Sequence, residues 1–243
     1  MIHYHGSPIS GSKIDAARFW TGRHGLVSFA YPSELPAVAA YSQSFVLDNG
    51  AFTAWRNDRP MDVGGYIKWV EEWHRHPGFD WCLIPDVIDG TEDDNRALLR
   101  EWPRHLTGVP IWHLHESLDY LDEMSREWPR IAFGSSGVWS SPGTAGWWHR
   151  MAEAMSVICD SGGRPRCKLH GLRMLNPAVF SALPFSSADS TNATQNAGTL
   201  SGFGSYLPPT SAQRAEVIAA RIEQHNSAAV WTHVTQQDIF SCA

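Results

Sequence analysis

Three aspartates, each following a short apolar run, are the residues of this chain best suited to chemistry. Asp48 ends the run Ser44-Phe45-Val46-Leu47 and precedes Asn49-Gly50; Asp86 follows Trp81-Cys82-Leu83-Ile84-Pro85; Asp189 follows Phe185-Ser186-Ser187-Ala188. An acid at a strand end commonly caps a turn by bonding back to its own backbone, and taken singly each of the three fits that role. Three such ends, with His113 and His115 after a fourth run and the turn Gly134-Ser135-Ser136-Gly137 after a fifth, point instead to a shared polar pocket. Two carboxylates facing one pocket suit displacement at an anomeric carbon, one as nucleophile and the other moving a proton at the leaving group. A third can accept two hydrogen bonds from the N1–H and exocyclic amine of a guanine-type base.

These side chains meet only if the runs that carry them lie side by side. Eight strand candidates start near Ile2, Gly25, Ser44, Trp81, Val109, Arg130, Lys168 and Phe185. Helical segments alternate with them. Tyr66, Trp69, Val70 and Trp73 fall at i, i+3, i+4 and i+7, which predicts an amphipathic helix over 63–74. Further helices are expected over about 91–102, 117–127, 145–159, 176–183 and 211–224. A long loop rich in Gly, Ser, Thr, Asn and Pro is expected over about 193–209. This alternation predicts an α/β fold with one domain over 1–243, a single (β/α)8 TIM-type barrel whose strand ends converge on one mouth. A doubly wound open sheet is the alternative, but no GxGxxG follows the first strand.

The bulk composition is that of a globular protein: 243 residues, 43% hydrophobic and 18% charged, with no apolar run long enough to span a membrane. The amino-terminal segment has no signal-peptide pattern, so a cytoplasmic address is the expectation. Cys82, Cys159, Cys167 and Cys242 show no CxxC spacing, so we expect buried thiols, no metal site and no cofactor. A net charge of −6 disfavours coating nucleic acid through bulk electrostatics but leaves room for a local basic patch. Twelve tryptophans exceed what a core of this size needs, and some near a barrel mouth can stack on a flat ligand.

Taken in order, four segments resemble a known family. Leu47-Asp48-Asn49-Gly50-Ala51-Phe52 is similar to the Asp-Ser-Gly-Gly/Ala-Phe segment of the queuine tRNA-ribosyltransferases (tRNA-guanine transglycosylases) and of their DNA-modifying relatives that insert 7-deazaguanine bases. Ile84-Pro85-Asp86 falls where that family has its base-recognising Asp, and Phe133-Gly134-Ser135-Ser136-Gly137 at its glycine-rich turn. Phe185-Ser186-Ser187-Ala188-Asp189-Ser190-Thr191 resembles the segment of its nucleophile. The resemblance spans residues 44 to 192 and rests on the order of the four segments.

It implies a base exchange. Asp189 would attack C1′ of the target nucleotide and release guanine, and Asp48 would act as general acid/base while a deazaguanine-type base enters. Asn49 and Asp86 would hydrogen-bond the base, Gly134, Ser135 and Ser136 would lie at its far edge, and His5, His113 and His115 would line the pocket. The family's tRNA enzymes carry a zinc subdomain of clustered Cys and His that this chain lacks, so DNA is favoured over tRNA as the partner. Trp112-His113-Leu114-His115-Glu116 also stands where the family has Gln-Gly-Gly. Arg56 and Arg173 are the candidate phosphate contacts, with Arg59, Arg164, Arg166 and Lys168 as further basic residues.

Two other readings fit parts of the sequence. His3 and His5 share a strand face and resemble the HxH metal-ligand pair of amidohydrolase barrels, with His113 or His115 and Asp189 completing a divalent-metal site. A barrel that only binds a base or nucleic acid, without turnover, is the third.

Overall fold

The computed structural model describes residues 1–9 and 11–232; Cys242, one of the four cysteines expected to be buried, lies outside the described residues. Among the described residues, nine parallel strand segments alternate with helices to form a nearly closed, TIM-type barrel. The strands are β1 (Ile2–Gly6), β2 (His24–Ser28), β3 (Ser44–Asp48), β4 (Phe79–Leu83), β5 (Gly108–Val109), β6 (Ile111–His113), β7 (Arg130–Gly134), β8 (Lys168–Gly171) and β9 (Ser187–Ser190). The helices are α1 (Lys13–Trp20), α2 (Leu35–Tyr41), α3 (Ala51–Arg56), α4 (Val63–Trp73), α5 (Glu92–Glu101), α6 (Leu118–Glu127), α7 (Ala145–Ile158), α8 (Pro177–Phe180), α9 (Asn192–Gln195) and α10 (Ser211–Glu223).

The count of nine against the expected eight has one cause. β5 and β6 are a single run interrupted at Pro110, which has no N–H to give to a neighbour. β5 pairs with β4, while β6 pairs with β7. Across the break, Ile84 N–H donates to the Val109 carbonyl and Ala132 N–H to the Pro110 carbonyl, so the run touches both neighbours where the sheet meets itself.

Side chains alternate in and out along the strands. Tyr4, Leu26, Val46, Trp81, Leu83, Val109, Ile111 and Ala132 form one buried cluster inside the barrel. Its lower end is closed by Asp80, which accepts hydrogen bonds from the Tyr4 and Ser44 hydroxyls. The outward residues pack on the helices in two larger clusters. Val27, Phe45 and Leu47 lie with residues of α1, α2 and α4, and Trp112, Phe133 and Leu169 with residues of α6 and α7.

Helix starts follow sequence chemistry. Ser12, Thr91 and Thr210 each form a capping box with the acid or amide three residues on. α4 buries Tyr66, Trp69 and Val70, the stripe expected from its spacing. The expected loop over 193–209 differs from expectation at its start. α9 and a 3-10 turn at Asn196–Gly198 occupy its first residues. The rest is tied down by buried Arg214, which donates to the carbonyls of Ala197 at 2.6 Å and Pro208 at 2.9 Å.

Among the described residues, no helix is long and apolar enough to cross a membrane.

β2 leaves no room for a side chain at Gly25, where a Cβ would stand 2.4 Å from Val38 Cγ1 and 3.2 Å from the Trp20 ring. Gly25→Ala is therefore expected to lower stability by about 1–3 kcal/mol through overpacking. Urea unfolding followed by far-UV circular dichroism checks this, and an unchanged midpoint would contradict the close packing of α2 on β2.

Candidate active site

The parallel strands all end at one mouth, and the three aspartates arrive there by different routes. Asp48 is the last residue of β3, Asp86 lies three residues beyond β4, and Asp189 sits within β9. Asp48 responds to the charges of both Asp189 and Asp86, so the three carboxylates form one electrostatic group.

Each has a distinct environment. Asp48 caps the turn into α3 by accepting from the Gly50 N–H at 3.1 Å, and Gly50 reverses the chain at φ 78°. Burial pushes the Asp48 carboxyl up to about 6; the Ser28 hydroxyl and the Gly50 N–H oppose the rise, and the negative charges of Asp189 and Asp86 add to it.

Asp86 is held on both oxygens. Asn49 Nδ2 donates to Oδ1 at 2.8 Å, and His113 Nε2 meets Oδ2 at 2.8 Å. The rest of the Asn49 amide is also engaged, its Nδ2 donating to the Ile84 carbonyl and its Oδ1 accepting from the Ala51 N–H. Asn49 therefore acts on the pocket by fixing Asp86. Burial by itself would lower the His113 pKa, but the bond to Asp86 and its charge, with Glu116 and Asp89 behind, outweigh burial and raise it. The His113–Asp86 contact is thus a buried hydrogen bond to an acid that takes a second donor from Asn49.

Asp189 takes two donors on a single oxygen. His170 Nε2 lies 3.2 Å and the Arg173 main-chain N–H 3.0 Å from Oδ1. His170 is fully buried on β8, and burial lowers its pKa against the pull of Asp189, so the ring is neutral. A neutral ring that donates from Nε2 must accept at Nδ1, where the Ser187 hydroxyl lies 2.9 Å away. The Asp189 carboxylate, which can only accept, thereby fixes the proton on Nε2, the Ser187 hydroxyl donates to Nδ1, and no described residue hydrogen-bonds Oδ2 of Asp189. Arg173 itself sits in the left-handed region, at φ 59°.

A second layer of residues holds the first. Glu116 accepts from the His113 N–H at 2.7 Å and from Asn95 Nδ2 at 2.8 Å, while Asn95 Oδ1 accepts from the Val87 N–H beside Asp86. Arg150 of α7 donates to the carbonyls of Leu114 and Glu116 and fixes that turn. Gly134 has no room for a side chain, because a Cβ there would stand 2.7 Å from His113 Nδ1.

The other expected site residues divide. His115 stacks on His113 with centroids 5.6 Å apart, and its Nδ1 meets the buried Ser136 hydroxyl at 2.7 Å. Ser135 accepts from Trp147 Nε1 at 3.0 Å, which anchors the turn to α7. Arg56 ends α3 on the exposed surface, and the exposed Arg173 guanidinium lies over Phe52.

The expectation that His5 lines the pocket is corrected. Tyr4 takes the inward position of β1, which turns His3 and His5 toward the helical layer. There His5 is fully buried, bonded to Glu223 of α10 at 2.9 Å and edge-on to Phe19 of α1, while His3 meets the His225 carbonyl. This also parts the HxH pair from Asp189 and His113.

His170, Ser187, Asn95 and Glu116 were not singled out from the sequence. No spacing signal links them, since each partner is supplied by a different strand or helix.

The raised pKa of Asp48 has a consequence for stability. With a folded value of about 6 against about 4 unfolded, the folded state favours the protonated acid, so the ionised group opposes folding above pH 6. Asp48→Asn is expected to stabilise the fold at pH 7.5 by up to roughly 3 kcal/mol, the gain fading as pH falls toward 4. Denaturant titrations at the two pH values check this; a variant equally destabilised at both would contradict it. No protein-family model matches this chain, and a search of curated proteins finds no significant match, so the site's own geometry carries the functional reading.

Proposed function

We propose that this barrel is a transglycosylase that exchanges guanine for a 7-deazaguanine-type base in nucleic acid, DNA ahead of tRNA, through a covalent Asp189-glycosyl intermediate. The observation that carries the reading is the division of labour among the three mouth carboxylates. One is protonatable near neutral pH, one is fixed on both oxygens, and one is held by a single oxygen.

In the first half-reaction, the free Oδ2 of Asp189 gives its electron pair to C1′ while the C1′–N9 bond breaks onto the leaving guanine. Asp48, carrying a proton below about pH 6, supplies it to that base. In the second, Asp48 removes a proton from the incoming base, which attacks C1′. The C1′–O bond returns its electrons to Asp189, and both acids are restored.

The site residues serve this chemistry in distinct ways. His170 and the Arg173 N–H hold one oxygen of the nucleophile and so aim the other. Asp86, presented by Asn49 and His113, accepts from the N1–H and amino edge of the base, and the turn at Gly134, Ser135 and Ser136 closes its far side. A barrel mouth built on strand ends keeps these groups rigid.

The reading is tested by incubating the protein with radiolabelled guanine and guanine-containing DNA or RNA oligonucleotides, separately, at several pH values. Label is expected to enter DNA, and Asp189→Asn is expected to abolish exchange by at least about 10³-fold with unchanged circular dichroism. Single-turnover adduct formation is expected to fall as pH rises through about 6, and this limb should be absent in Asp48→Asn. Near-normal turnover by Asp189→Asn would remove the nucleophile assignment. Oligonucleotide binding without exchange in the unmodified protein would favour a barrel that only binds.

A further inference from the structure

Large apolar side chains left in solvent mark interaction sites when they cluster, and among the described residues several of them follow the carboxyl ends of strands. Tyr31, Phe52, Trp55, Val87 and Val138 are all exposed, and they lie in the segments that follow β2, β3, β4 and β7. Phe52 and Trp55 stand out because their placement is fixed. Both are on α3, directly after Asp48-Asn49-Gly50, and they are 38% and 50% exposed. Their ring centroids are 5.7 Å apart at an interplanar angle of 38°. Trp55 Nε1 donates to Asp89 Oδ2 at 2.6 Å, which sets the orientation of the indole while half of its surface stays open.

Arg173 ties this pair to the chemistry. Its guanidinium lies 4.3 Å from the Phe52 centroid, and its own N–H donates to Asp189. The same helix ends in Arg56, with Arg59 three residues on, both exposed. An oriented, half-exposed indole beside a phenyl ring that carries an arginine over one face is suited to a chain that offers flat bases and phosphates together. A duplex does not fit this description, since its base faces are already covered by their neighbours.

We propose that Phe52 and Trp55 form a stacking platform for a base next to the reacting nucleotide of a single-stranded nucleic acid, with the Arg173 guanidinium placed for the adjoining phosphate. The identity of the reacting nucleotide rests on the base-exchange reading above; the platform does not. DNA and RNA single strands share the required chemistry, and the polymer is decided by the test.

The experiment is fluorescence anisotropy with labelled single-stranded DNA, single-stranded RNA and duplex DNA. It compares the full chain with Phe52→Ala/Trp55→Ala and with the conservative Phe52→Tyr/Trp55→Phe, alongside calorimetric binding of free guanine. The alanine pair is expected to weaken single-strand binding at least tenfold, about 1.4 kcal/mol. The aromatic pair is expected to restore it, duplex to bind weakly throughout, and free guanine to bind all three proteins equally. The tighter single strand names the polymer.

Unchanged single-strand binding by the alanine pair, equal binding of duplex, or no binding of any oligonucleotide by the unmodified chain would each overturn the platform. If the alanine pair keeps normal oligonucleotide binding in a protein that exchanges bases, the platform is wrong and the exchange reading stands. If it loses binding in a protein that never exchanges bases, the platform stands and the exchange reading falls.

Discussion

The structure depends on one electrostatic constraint: three carboxylates are brought to a single half-buried mouth. Like charges at such a place repel, and burial removes the water that would stabilise them. The surrounding residues answer with donors in a particular distribution. Asp86 receives an amide and an imidazole, Asp189 receives a neutral imidazole and a main-chain N–H, and Asp48 receives only the weaker help of Gly50 and Ser28. The least supported acid is the one that burial pushes up to about 6, which is why it is the one proposed to carry the proton.

This distribution reaches outward through the fold. His113 can pair with Asp86 because Glu116 takes its N–H and Gly134 leaves space beside its ring. Glu116 is itself held by Asn95 and, through its carbonyl, by Arg150, so α5 and α7 both fix the geometry of a strand end. On the other side of the mouth, Ser187 satisfies the second nitrogen of His170, and the packing of His170 against Tyr4 and Trp81 joins the support of Asp189 to the barrel interior.

Much of this was legible in the sequence, and the gaps have physical reasons. Apolar runs ending in Asp48, Asp86 and His113 are strong local signals, and they located the strands and their convergence. Pro110 within the fifth run did not announce that pairing would pass from one neighbour to the other there. Alternation placed His3 and His5 on one face of β1 but does not say which face; the choice was made by Tyr4 filling the interior. α1 escaped notice because its buried Phe19 and Trp20 lie together at its end and trace no stripe, and α3 is too short to show one. His170 and Asp189 lie 19 residues apart on neighbouring strands, and no local pattern reports such a bond.

Asp48 is proposed as the proton carrier because it is buried at the mouth, with the charges of Asp189 and Asp86 adding to the effect of burial. An isotope-edited infrared titration of the Asp48 carboxyl, in the unmodified protein and in Asp189→Asn, tests it most directly. The expected midpoint is about 6, and it moves down when the Asp189 charge is removed. A midpoint near the ordinary carboxylate value, unmoved by Asp189→Asn, would contradict it.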